Sequence, residues 1–148
     1  MNQTPRLGFE IKTIANLIKR EIDHYEEETY GENITGTNRY ILLHLAHNTD
    51  CDIFQKDLEE VFSVRRSTMS AILLRMEEKG LLKRTSVDYD ARLKKIILTE
   101  KGERLHKQME RSVDAMEEKL ITGISEKEQA LLFALLEKMK NNLENEKS

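Results

Sequence analysis

Arg65 and Arg66 stand directly before Ser67, Thr68 and Ser70, and a second basic group, Arg92, Lys94 and Lys95, follows further along the chain. Guanidinium and ammonium groups neutralise phosphates. Short hydroxyls donate or accept at base edges or phosphates without strong sequence preference. This is chemistry suited to a DNA groove. Both groups lie in one stretch, residues 54 to 102, which reads FQKDLEEVFSVRRSTMSAILLRMEEKGLLKRTSVDYDARLKKIILTEKG.

The elements that must position these residues can be read from periodicity. Leu58, Val61 and Phe62 mark a short helix, and Met69, Ile72, Leu73 and Met76 mark another after a sharp basic break. Gly80 is placed to stop that helix as a C-terminal cap. The runs LLKRTSV and KKIILT have the β-branched character of strands, with SVDYDARLK as the hairpin between them. Helix, turn, helix and hairpin in that order predict a helix-turn-helix followed by a wing.

Outside this stretch the pattern is helical. Leu7, Ile11, Ile14, Ile18, Ile22 and Tyr25 recur at steps of three and four, giving one long amphipathic helix. Glu26 to Gly36 reads as a connection, after which Thr35 can cap a helix carrying Ile41, Leu42, Leu45 and Ala46. Asn48 to Asp52 is a polar turn. Thr99 opens a fifth helix with Leu105, Met109, Val113, Met116 and Leu120, and Gly123 breaks it. Ser125 and Glu128 form a capping-box pattern at the start of a sixth helix, whose stripe is Leu132, Leu135, Leu136, Met139 and Leu143. The fold class expected is mainly α with a small β-hairpin wing.

Composition bounds the partners. The chain has 148 residues, 34% of them charged and 5% aromatic, with a net charge of −3. The charge is unevenly spread: residues 65–107 hold twelve Lys or Arg against six Asp or Glu, a net of +6, and the rest of the chain carries −9. A basic island of this kind is the electrostatic footprint that phosphates require. The apolar stretch Leu131 to Leu136 is far short of a membrane span, and no signal segment opens the chain, so no membrane partner and a cytoplasmic location are expected. The single cysteine, Cys51, excludes an internal disulfide and fits a reducing compartment. Long apolar stripes at both ends of a chain poor in aromatics would be buried best by the same helices of a second copy, which predicts a homodimer.

Two runs carry a likeness to a known family: VRRSTMSAILLRMEEKGLLKR, residues 64–84, and DARLKKIILTEKG, residues 90–102. Asp-x-Arg followed by Leu-Thr-x-x-Gly at this distance is a hallmark of the MarR family of winged-helix regulators, which residues 34–102 resemble. The six-helix order extends the likeness over nearly the whole chain. The resemblance implies one domain over residues 1–148, with a winged helix-turn-helix at 34–102 flanked by dimerisation helices at 5–30 and 103–145.

It also implies roles. The fourth helix would lie in the major groove of double-stranded DNA with its N-terminal end toward the bases, Ser67, Thr68 and Ser70 reading and Arg65 and Arg66 anchoring. Arg92 aligns with the family arginine that enters the minor groove, Asp90 orients the wing, and Lys94 and Lys95 flank the backbone. Two positions depart from the common pattern. Ala91 stands where many members have a second arginine, and Phe54 and Arg65 stand where many have a small hydroxyl residue opening the third and fourth helices.

The function implied is a homodimeric DNA-binding transcriptional regulator, a repressor on a palindromic operator, released by a small-molecule effector. No enzyme signature is present: no Gly-rich phosphate loop, no HExxH and no GxSxG. No cofactor or metal is expected. The alternatives are a winged-helix protein-interaction module without DNA readout, or a metal-responsive regulator. The second is prompted by His44, His47, Asp50, Cys51 and Asp52, which lie close together in sequence, and by a zinc-sensing branch of the family. His44 would be its key ligand. Cys51 does not match peroxide-sensing relatives, whose reactive cysteine is in the first helix.

Overall fold

The computed structural model describes residues 4–27 and 36–145, the side chains of residues 26 and 27 excepted. Among these residues the elements are α1 (Leu7–Glu27), α2 (Thr37–His47), α3 (Gln55–Phe62), α4 (Arg66–Glu78), β1 (Leu82–Val87), β2 (Asp90–Leu98), α5 (Glu100–Leu120) and α6 (Glu126–Glu144). The architecture is mainly α with one antiparallel hairpin, as the periodicity predicts. No helix of the described residues is long and apolar enough to cross a membrane. The chain divides into two compact units, Met1–Val113 and Asp114–Ser148, with the boundary inside α5.

The core of the first unit is the sum of the apolar stripes. Ile41, Leu42 and Leu45 of α2, Leu58 of α3, and Met69, Ile72, Leu73 and Met76 of α4 are all buried, with Leu81, Leu82 and Ile96 of the wing's base and Met109 of α5. Burying each such side chain is worth about 1.5–3 kcal/mol relative to leaving it in water. Val61 departs from its stripe and is exposed, while Phe62 and Val64 pack partly against the core. The reason is length: α3 makes barely two turns, so one narrow face suffices to seat it. The stripe of α1 is exposed at Leu7, Ile11 and Ile14 and buried at Ile22. A salt bridge of 3.4 Å between buried Arg39 of α2 and Asp23 joins α2 to the C-terminal half of α1.

Helix ends follow local chemistry. Thr35, the expected cap of α2, lies outside the described residues with most of the connection before it; α2 starts at Thr37, after Gly36 at φ 55°, with no side-chain cap bond. Gly80, at φ 73°, closes α4 in a Schellman arrangement: its N–H donates to the Glu77 carbonyl at 2.9 Å and that of Leu81 to the Met76 carbonyl at 3.0 Å. In the second unit, the Ser125 hydroxyl accepts the Glu128 N–H at 3.2 Å while the Glu128 carboxylate accepts the Ser125 N–H at 2.8 Å, which completes the expected capping box.

The Leu-Thr-x-x-Gly run turns out to be a joint. The Thr99 hydroxyl donates to the Gly80 carbonyl at 2.5 Å and accepts the Gly102 N–H at 3.1 Å, so one side chain caps α5 and ties it to the end of α4. The Thr99 N–H donates to the Leu81 carbonyl at 3.1 Å. A Cβ at residue 102 would overlap that same carbonyl oxygen, so only glycine lets α5 approach so closely.

Candidate nucleic-acid interface

The two helices of the basic segment are set by a tight turn. Ser63 adopts the left-handed conformation, φ 48°, and the Val64 N–H reaches back to the Glu59 carbonyl at 3.0 Å. Phe54 has no side-chain acceptor to cap α3, but the Asp57 carboxylate accepts the Phe54 N–H at 2.8 Å and does half of a capping box's work. Arg65 occupies the N-cap position of α4 in an extended conformation with no side-chain cap bond. The exposed amides of α4's first turn therefore face outward with their partial positive charge.

At that end of α4, Arg65, Arg66, Ser67 and Thr68 are exposed and Ser70 is half-buried. Gln55, the first residue of α3, donates from Nε2 to the Ser70 Oγ at 2.8 Å and to the Arg66 carbonyl at 3.4 Å. Ser70 is thus held between the helices, whereas Ser67 and Thr68 stand at the open surface. Sequence reading overlooked Gln55; its signal was its place at the start of α3, opposite the first turn of the next helix.

The wing is tighter than the sequence suggests. β2 begins at Asp90 instead of within KKIILT, leaving Asp88 and Tyr89 as the turn. The register runs from Leu82↔Leu98 to Ser86↔Lys94 and then jumps to Val87↔Asp90. Ala91, Arg92 and Leu93 are left without counterparts and bulge from the ladder, which is why this stretch has no alternating pattern. The Asp90 carboxylate spans the bulge, accepting the Arg92 N–H at 2.9 Å, its Nε at 3.2 Å and its Nη2 at 3.3 Å. The Arg92 guanidinium, followed by its backbone N–H, holds the Asp90 carboxyl below the usual carboxylate range.

Lys94 and Lys95 of the wing are also engaged. Lys94 Nζ donates to Ser86 Oγ across the hairpin at 2.7 Å, and Lys95 Nζ donates to Asp52 Oδ1 at 3.2 Å. Asp52 also accepts the Tyr89 hydroxyl at 3.4 Å. Partial desolvation first, and then Asp52, raise the pKa of that phenol. The base of the wing is further latched by the Ile96 N–H, which donates to the Ile53 carbonyl at 2.8 Å.

These elements leave an open groove of about 640 Å³ between the start of α3, the start of α4 and the wing. Four expected residues share it: Arg66, Ser70, Arg92 and Lys94. Lys56 and Arg84 add charge that sequence reading did not single out, and Glu59 is the single acidic residue among its lining. Arg84 is drawn toward Glu77 at 3.4 Å. Arg65, Ser67, Thr68 and Lys95 lie outside the groove lining. Concave, cationic and bordered by hydroxyls, the surface is complementary to a polyanion.

The cluster of His44, His47, Asp50, Cys51 and Asp52 is taken apart by the fold. His44 packs edge-on to Phe62 with ring centroids 5.9 Å apart, and the Asn48 side chain donates to its carbonyl at 2.8 Å. Asp52 is engaged with the wing, and Cys51 is exposed with its Sγ 3.8 Å from the Asn48 carbonyl. His47 turns instead toward Glu110 of α5, 2.7 Å away.

Residues 32–93 match the model of the MarR family. Among solved structures, the chain is similar to the transcription regulator MarR from Oenococcus oeni PSU-1, at 29% identity over 92% of this chain and 99% of that one, with a TM-score of 0.80. It is also similar to S. aureus MepR in complex with DNA, at 26% identity over 93% and 96% of the two chains, with a TM-score of 0.82. S. aureus MepR in its DNA-binding conformation is similar at 27% identity over 94% and 99%, again with a TM-score of 0.82.

Proposed function

We propose that this chain, whose residues 32–93 match the model of the MarR family, is a homodimeric repressor of that kind that holds a palindromic operator and releases it when a small-molecule effector binds. The observation that carries the DNA reading is the groove in which Arg66 and Ser70 of α4 face Arg92 and Lys94 of the wing. A solved relative of the same fold, MepR, is a DNA complex.

In this reading the N-terminal end of α4 enters the major groove. Ser67 and Thr68 meet base edges, Ser70 steadies the helix against α3, and Arg65 and Arg66 hold the flanking phosphates. Arg92, aimed by Asp90, enters the adjacent minor groove, where narrow width concentrates negative potential. Lys94 and Lys95 contact the backbone beside it. The winged region at 34–102 reads DNA, and the helices at 5–30 and 103–145 pair two copies so that two α4 helices meet half-sites about one helical turn apart. An effector releases the operator only by binding the two conformations of the dimer unequally.

Fluorescence anisotropy with a palindromic duplex from the region upstream of the gene tests this. Binding should weaken steeply with salt, and Arg66→Ala and Arg92→Ala should each reduce affinity. If both variants bind the duplex as the parent does, the winged fold serves as a protein-interaction module instead.

A further inference from the structure

His47, the last residue of α2, and His106 and Glu110, one turn apart on α5, converge at a place that the DNA reading leaves unused. One nitrogen or oxygen from each lies within 4.8 Å of the others. His47 Nε2 is 2.7 Å from Glu110 Oε1, and His106 Nε2 is 3.7 Å from Glu110 Oε2. The imidazole rings stand edge-on, with centroids 5.5 Å apart and planes at 89°. A tetrahedral zinc ion with ligands at 2.0–2.2 Å needs its ligand atoms about 3.4 Å apart. The 2.7 Å and 3.7 Å separations lie on either side of that value.

A second observation distinguishes this trio from a surface ion pair. His106 is only 9% exposed, its Nδ1 has no hydrogen-bond partner, and its Nε2 is too far from Glu110 for a hydrogen bond. Buried polar nitrogens are nearly always satisfied. A histidine left this way, with Nε2 3.7 Å from the Glu110 carboxylate, lacks the strong polar partner that a cation bound at Nε2 would supply. His47 and Glu110 sit at the surface, which gives an ion a path of entry.

We propose that His47, His106 and Glu110 form a binding site for a divalent transition-metal ion of borderline softness, Zn²⁺ above all. Two imidazoles and one carboxylate suit zinc and its neighbours, whereas calcium and magnesium require six or more oxygen ligands. Three protein ligands leave a fourth position for water. The ion joins the end of α2 to α5, and α2 leads through Asn48–Asp52 directly into α3. Binding itself does not rest on the DNA reading. The metal ligand set is this one, not the His44-centred cluster suggested by proximity in sequence.

Co²⁺ titration of the metal-stripped full chain tests the site, because tetrahedral Co²⁺ has visible d–d bands and a Co²⁺–thiolate bond adds an intense charge-transfer band. Wild type should bind one Co²⁺ per chain without the thiolate band, and Zn²⁺ should displace it. His47→Ala and Glu110→Gln, both at surface positions, should weaken binding by roughly 100-fold or more, beyond the 10–100-fold that loss of an outer-shell partner costs. His44→Ala and Cys51→Ser should bind as wild type does. Absence of stoichiometric Co²⁺ binding, a thiolate band, or unchanged affinity in His47→Ala overturns the proposal. No DNA enters this measurement, so its failure is distinct from failure of operator binding.

Discussion

Arg92 has 90% of its side chain in solvent, yet the Asp90 carboxylate fixes it at three donors. An exposed arginine normally spends much rotamer entropy on docking; one already oriented spends less. Because Asp90 titrates below the ordinary range, the grip is complete above the unfolded-state carboxylate pKa of about 3.9 and fades only as pH falls through the lower folded-state value. In a ¹H–¹⁵N titration the Arg92 amide should therefore hold still from neutral pH down to the ordinary carboxylate value and move below it. A midpoint at or above that value would show that Asp90 does not hold Arg92 in solution. Lys94, in contrast, sits beside the groove as a point charge. Lys94→Ala should weaken binding to all duplexes alike and lower the slope of log affinity against log salt by about 1. A sequence-selective loss would assign Lys94 a reading role instead.

The joint between α4, the wing and α5 is where the Leu-Thr-x-x-Gly run becomes mechanics. Thr99 binds both Gly80 and Gly102, and the space at Gly102 is taken by the Leu81 carbonyl. Gly102→Ala should lower stability by about 1–3 kcal/mol, as overpacking does elsewhere, and urea denaturation with an unchanged m-value would register it. Ser125→Ala removes one cap bond at a surface helix start and should cost about 0.5–2 kcal/mol. The elements themselves were legible because their signals are local. The Met69/Ile72/Leu73/Met76 stripe, the Gly80 cap and the Ser125–Glu128 box each lie within a few residues and appear as read. The bulge at Ala91–Leu93 was not legible, since it is a property of how two strands pair and neither strand's pattern records it. The His47, His106 and Glu110 trio escaped for the same reason: His47 is placed against α5 by tertiary packing, so sequence proximity pointed to Cys51 and Asp52 instead.

At the scale of the molecule, the basic island of 65–107 lies within a net-negative chain, so on the proposed reading the positive charge is concentrated on the segment that would meet DNA. On the same reading a single winged face offers a small footprint, and pairing of two copies through the apolar stripes would double it. The first half of α1 exposes Leu7, Phe9, Ile11, Ile14 and Leu17, and α6, with no fully buried residue, exposes Leu131, Leu132, Phe133 and Leu143. Soluble monomers rarely leave patches of this extent in water, and a stable dimer needs about 800 Å² per partner, which helices of 21 and 19 residues can provide. Phe133, 71% exposed, is the side chain whose replacement tests this most cleanly, because nothing in its own helix depends on it for burial. Phe133→Glu should shift the protein from dimer to monomer in light scattering while circular dichroism keeps its helix content. With the two half-sites no longer engaged together, operator affinity should fall by roughly 10²–10⁴-fold, whereas the weak salt-dependent affinity of each monomer for unrelated duplex should persist. A wild-type chain that is monomeric at micromolar concentration would remove the palindromic operator from the reading, and leave the α1 and α6 stripes to be covered by something other than a second copy.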